Sequence, residues 1–148
     1  MDNKLRFDGC MATNIEQAFH HLEKVYERLI GPLGLSLMEW YTLRALYGED
    51  GVMASQLAQT VCRHPSSMTA LLDRMEEKGL LDRQVDPVDR RSVRVFLTDA
   101  GRSYEARICE SVDVIGHLLD TLVTPEQMDT FHYVLGVLQN AEFPQQTS

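Results

Sequence analysis

Between Asp86 and Arg94 the chain reads Asp86-Pro87-Val88-Asp89-Arg90-Arg91-Ser92-Val93-Arg94, a polar turn that places three guanidinium groups within five positions. Planar guanidinium forks match phosphate oxygens, and a narrow DNA minor groove concentrates the negative potential that draws arginine into it. A second set lies upstream, with Arg63 and His64 in a tight connection, then Ser66, Ser67 and Thr69, and Arg74 further along. Short hydroxyls near a helix start suit phosphates and base edges, because the free amides of that end attract anions.

The charge of the whole chain argues the other way. Its 148 residues include 14 basic and 22 acidic ones, a net −8, and a pI near 5.0 is unpromising for a polyanion partner. The charges are, however, unevenly distributed. Ala54 to Arg102 holds 8 basic and 7 acidic residues, whereas the remainder holds 6 basic against 15 acidic. Such asymmetry points to a phosphate-facing middle held between acidic flanks.

Other chemistries find little support. His20, His21, His64, His117 and His132 form no His-x-x-x-His pair or Cys/His cluster, so neither a metal nor any other cofactor is expected. Cys10, Cys62 and Cys109 are odd in number and widely spaced, which excludes a disulfide framework and fits a reducing compartment; Cys62 and Cys109 read as small packing residues. With no nucleophile–base constellation and no Gly-rich phosphate loop, an enzyme is not expected. No apolar run approaches the ~18 residues of a membrane span, and MDNKLRFDGCMATNIEQ lacks a secretory apolar stretch, so a cytoplasmic protein without a membrane partner is expected.

The elements that must position these residues are legible in the spacing. Apolar residues from Thr13 to Ile30 recur at three and four, the pattern of one helical face, which Gly31-Pro32 ends. Ser36 and Glu39 form a capping-box pattern for a second helix up to Gly48. A brief helix over Ala54–Val61 and a longer one from Pro65 to Lys78, stopped by Gly79, make a helix-turn-helix candidate. Leu80–Val85 and Val93–Leu97 read as strands of a hairpin around the basic turn, giving the winged form of that motif. Thr98 caps a long helix to about Leu122, and Thr124-Pro125-Glu126-Gln127 starts a last one with Phe131 and Val134 inward. The fold class expected is mainly α with a small β-hairpin wing. Its terminal helices carry more apolar surface than a small winged domain covers, which points to a homodimer.

The run SSMTALLDRMEEKGLLDRQVDPVDRRSVRVFLTDAG, Ser66 to Gly101, resembles the MarR family of bacterial transcription regulators in its second helix, Lys-Gly-Leu turn, Asp-x-x-Asp-Arg-Arg wing and Leu-Thr-x-x-Gly start of the fifth helix. Met53 departs from the usual Thr or Ser cap of the third helix, and His64 from a smaller polar residue before Pro65. The resemblance implies one MarR-type domain over 1–148, with 34–100 as the winged DNA-binding part and 10–33 and 101–143 as dimerisation helices. It implies recognition helices in successive major grooves and wings in the flanking minor grooves. The DNA-contact set is then Arg63, His64, Ser66, Ser67, Thr69, Arg74, Asp89, Arg90, Arg91 and Arg94. Asp89 orients a wing arginine, and Arg94 points out of its strand towards phosphate.

The resemblance also implies a crevice for phenolic or other aromatic acids, to which His21, Met38, Tyr41 and Arg44 would supply an apolar wall, a hydroxyl and a cation for a carboxylate. Cys10 lies where oxidant-sensing relatives keep a reactive thiol. The function expected is a homodimeric repressor of a pseudo-palindromic DNA operator, released by a small aromatic carboxylate. The alternatives are a winged-helix module for protein partners and an oxidant-sensing repressor that uses Cys10.

Overall fold

The computed structural model describes residues 10–142. Helix α1 (Met11–Ile30) leads through a 3-10 turn, Gly31–Leu33, to α2 (Leu37–Gly48). Both halves of the expected capping box are made at α2: Ser36 Oγ accepts from the Glu39 amide at 3.3 Å and Glu39 Oε2 from the Ser36 amide at 2.8 Å. Next come β1 (Val52–Met53), α3 (Ala54–Thr60) and α4 (Pro65–Glu77), and then the hairpin strands β2 (Leu81–Val85) and β3 (Val93–Leu97). Helices α5 (Asp99–Arg102), α6 (Glu105–Leu122) and α7 (Pro125–Gln139) complete the described chain.

Two features differ from the expectations of the sequence. The wing is a three-stranded antiparallel sheet in the order β1-β3-β2, because Val52 pairs with Val95 and Met53 with Arg94. The long fifth helix is broken after Arg102; the Tyr104 amide takes the Gly101 carbonyl instead of continuing the α-helical ladder. At α3, as the Met53 departure led one to expect, the N-cap brings no side-chain acceptor, and Gln56 Oε1 accepts from the Met53 amide at 3.2 Å.

The core lies between the helix-turn-helix and the sheet. Trp40, Leu43 and Leu46 from α2 are fully buried, as are Leu57 from α3, Met68, Leu72 and Met75 from α4, and Leu81 and Val95 from the sheet. Their three-and-four spacing on the helices and alternation on β3 turn one face of each element inward. Gly79 stops α4 at φ 69°, a left-handed position that costs glycine nothing. Gly101 lets α5 sit against the hairpin base, where a Cβ would lie 2.1 Å from the Leu80 carbonyl oxygen.

The chain divides into two compact units between Ser111 and Val112, inside α6. In the second unit, Thr124 Oγ1 accepts from the Gln127 amide and Gln127 Oε1 from the Thr124 amide, so α7 starts where the sequence places it. Phe131 and Val134, expected inward, are 55% and 40% exposed in the single chain. No helix of the described residues is long and apolar enough to cross a membrane.

Candidate nucleic-acid interface and adjoining cavity

Pairing inside the fold separates the eight basic residues between Ala54 and Arg102 into two groups. Lys78 is held by Glu39, Arg83 by Asp73 and Glu76, Arg94 by Asp86, and Arg102 by Asp50. Arg63, Arg74, Arg90 and Arg91 are exposed and have no carboxylate partner among the described residues. Unpaired guanidiniums are those free to meet phosphate without first breaking an ion pair.

The turn that carries Arg90 and Arg91 is built by two carboxylates. Asp86 is buried; its Oδ1 accepts from the Val88 and Asp89 amides at 2.8 Å each, and its Oδ2 takes the Arg94 Nε. Those contacts, the Asp89 amide first, then Arg94 and the Val88 amide, hold the Asp86 carboxyl below the usual aspartate range. Arg94 also donates to the Gly51 carbonyl at 2.9 Å, which ties the wing to the turn before β1. The outward orientation expected of Arg94 is therefore corrected: a buried carboxylate attracts its guanidinium inward. The orienting role implied for Asp89 is corrected as well. Its oxygens accept from the Arg91 amide at 3.1 Å and the Ser92 hydroxyl at 2.6 Å, so it shapes the backbone and not an arginine side chain.

At the start of α4, His64 is the N-cap, its Nδ1 2.9 Å from Ser66 Oγ and 3.5 Å from the Ser66 amide. Ser66, Ser67 and Thr69 are all exposed, with the Thr69 hydroxyl donating to the Pro65 carbonyl at 3.2 Å. Met68, Leu71, Leu72 and Met75 bury the opposite face, so the hydroxyls and Arg74 face outward from one anchored helix. The Arg63 side chain turns towards α2, where its Nε and Nη2 donate to Met38 Sδ at 3.0 and 2.9 Å.

Arg63 lines a cavity of about 620 Å³, with Phe19 from α1, Met38, Tyr41 and Arg44 from α2, and Cys62 from the turn between α3 and α4. Met38, Tyr41 and Arg44 thus share one wall, whereas His21 is exposed and not part of the lining. The Arg44 guanidinium lies 4.6 Å from the centre of the Trp40 ring, a cation–π contact. Burial, and then the neighbouring Tyr26, push the Tyr41 hydroxyl above its ordinary value, so it is a neutral donor at neutral pH. Phe19 and the inward turn of Arg63 were not legible in the sequence, since both depend on which side chains α1 and the turn bring beside α2.

The three cysteines are exposed, which corrects the packing role expected of Cys62 and Cys109. Cys10 occupies the N-cap position of α1 without a side-chain cap hydrogen bond, and the nearby Thr13 amide, then its hydroxyl, and the Ala12 amide lower the thiol's pKa. Among the described residues no three His, Cys, Asp or Glu side chains gather as metal ligands.

Residues 35–93 match the model of the MarR family. The HTH-type transcriptional regulator TtmR of Methylorubrum extorquens (strain PA1) is 26% identical over 107 residues, which cover 72% of this chain and 55% of that protein, so the chain spans just over half of that relative's length. The fold is similar to S. aureus MepR in a complex with DNA, at TM-score 0.82 and 19% identity over 89% of this chain and 97% of that one. It is also similar to Bordetella bronchiseptica BpsR, whose DNA binding is regulated by 6-hydroxynicotinic acid, at TM-score 0.84 and 19% identity over 93% and 98% of the two chains. At these identities the two structures speak for the fold alone.

Proposed function

We propose that the chain, whose residues 35–93 match the MarR family model, is a DNA-binding transcription regulator of that family, a repressor that binds a pseudo-palindromic operator as a homodimer and is released by a small aromatic carboxylate. The observation that carries the DNA half is the sorting of cations. In the winged segment, four basic side chains are neutralised within the fold, while Arg90 and Arg91 at the wing tip and Arg74 on α4 stay exposed and unpaired among the described residues. In this reading α4 presents Ser66, Ser67 and Thr69 to the major groove and the wing presents Arg90 and Arg91 to the minor groove.

The dimer is supported by apolar side chains left open on both terminal segments, among them Met11 and Ile15 on α1 and Phe131, Val134 and Val137 on α7. The effector class is supported by the cavity, which sets an apolar wall beside Tyr41 and Arg44. Selection of duplexes from a random pool tests the reading together with sedimentation. We expect a pseudo-palindrome with half-sites about 10 base pairs apart and a dimer at micromolar concentration. A monomer that binds DNA with no loss on dilution, or a pool left unenriched, overturns it.

A second reading, an oxidant-sensing repressor, is favoured by the exposure and lowered pKa of the Cys10 thiol. In that case organic peroxide releases DNA where salicylate does not, and Cys10→Ser abolishes the response.

A further inference from the structure

We infer that Arg63 is the residue through which an organic anion in the cavity acts on DNA binding, because its side chain lines the cavity while its backbone leads directly into the N-cap of α4. The inference rests on the effector reading above and adds the connection that it lacks.

The root of Arg63 is fixed. Its amide donates to the Ala58 carbonyl at 2.8 Å, the preceding Cys62 amide to the Gln59 carbonyl at 3.0 Å, and the next residue, His64, caps α4. Cys62 itself is at φ 52°, a left-handed conformation that turns the chain sharply into Arg63. A movement of this turn is therefore a movement of the start of α4, and only the side chain of Arg63 has a choice of partner. That side chain lines the cavity with Met38, Tyr41 and Arg44, and is exposed one residue before the cap of the α4 start that presents Ser66 and Ser67.

Its present partner holds it weakly. A thioether sulfur is a poor acceptor, and a guanidinium carries five N–H donors in a fork suited to two oxygens. A carboxylate placed beside Met38 offers Arg63 a bidentate, charge-assisted pair, with Arg44 as a second cation and the Tyr41 hydroxyl as a neutral donor. Among the described residues no carboxylate lines the cavity, so none of those lining it neutralises either guanidinium. The apolar surface of Phe19 and Met38 favours an anion with a flat hydrophobic body over an inorganic one. An Arg63 clamped by that anion is withdrawn from phosphate and holds the α4 turn in the cavity-facing arrangement. Each ligand must then weaken the other by the same factor.

The test uses the full chain as wild type, Arg63→Ala and Arg63→Lys, the probe salicylate, and a duplex selected by the wild type. Calorimetry gives salicylate affinity without DNA, and DNA affinity is measured with and without saturating salicylate at several salt concentrations. For the wild type, salicylate raises the DNA Kd roughly fivefold or more. Arg63→Ala binds salicylate at least about fivefold more weakly, loses DNA affinity with a smaller salt slope, and shows less than about a twofold response to saturating salicylate. Arg63→Lys keeps the charge without the fork, and so recovers the salt slope but not the salicylate affinity. Sodium sulfate at matched ionic strength, as the inorganic anion, gives no release beyond screening.

Salicylate binding to the wild type with undiminished release in Arg63→Ala overturns this inference alone. No salicylate binding to the wild type overturns the cavity reading and this inference with it.

Discussion

Lys78 Nζ lies 2.8 Å from Glu39 Oε1 and 2.9 Å from Oε2, closing the last turn of α4 onto the first turn of α2. The two partners are not equivalent, since the Glu39 side chain is 3% exposed and that of Lys78 46%. Lys78→Ala leaves a buried carboxylate with only the Ser36 amide, at a cost of about 1–3 kcal/mol. Glu39→Gln keeps an acceptor for that amide and frees Lys78 into water, at a cost of about 1 kcal/mol or less. Urea midpoints at neutral pH measure both, and equal costs would refute the asymmetry.

Acid should weaken the same contact. Burial raises the Glu39 pKa, but Lys78 and the Ser36 amide outweigh it and leave the net value below the ordinary 4.5. A depressed folded pKa stabilises the fold fully above the unfolded pKa, and that contribution is lost as pH falls through the folded value. Titrating the urea midpoint from about pH 6 to about pH 3 should give a steeper decline for wild type than for Glu39→Gln. Parallel declines would show that Glu39 does not link.

The wing arginines should split by chemistry. Arg90 and Arg91 are exposed without ion pairs among the described residues, so Arg90→Ala/Arg91→Ala should leave thermal unfolding unchanged, weaken DNA binding by well over tenfold and flatten its salt dependence. Arg94→Ala leaves the buried Asp86 carboxylate unmatched and frees the Gly51 carbonyl, so it should lower the melting temperature. A double variant with wild-type salt slope would make the wing tip a bystander.

The contrast between Arg90 and Arg94 marks what the sequence could and could not disclose. Caps were legible because they are local: Ser36 with Glu39 and Thr124 with Gln127 each act across three residues. Partner choice over distance was not. Arg94 is drawn to Asp86 and to a carbonyl 43 residues away, and nothing in the order of residues separates it from Arg90. The two-residue strand β1 escaped notice because only its pairing with β3 defines it. The break after Arg102 lies inside an unbroken apolar period, so periodicity read through it. In the cavity, Met38, Tyr41 and Arg44 share a helix and could be grouped by spacing, whereas Phe19 and Arg63 come from elsewhere in the chain.

Gly101→Ala should be costly for lack of space. The added methyl carbon would stand 2.1 Å from the Leu80 carbonyl oxygen and 3.2 Å from Leu97 Cδ2, and the displaced α5 would pull its carbonyl from the Tyr47 hydroxyl, which donates to it at 2.7 Å. Overpacking of this kind costs about 1–3 kcal/mol. The urea midpoint should fall with the slope unchanged, and a wild-type midpoint would mean that α5 yields freely.

Trp40 is the one tryptophan of the chain, fully buried, with its Nε1 donating to Ser111 Oγ at 2.9 Å and the Arg44 guanidinium over its ring. Ultraviolet excitation at the red edge of protein absorption therefore addresses a single indole in a single environment. Arg44 belongs to the cavity wall and perturbs that indole through its charge, so a ligand that draws the guanidinium away changes the emission without any dye attached. Unfolding moves the same indole into water and shifts its emission to longer wavelength, so one optical signal distinguishes an occupied cavity from a lost fold.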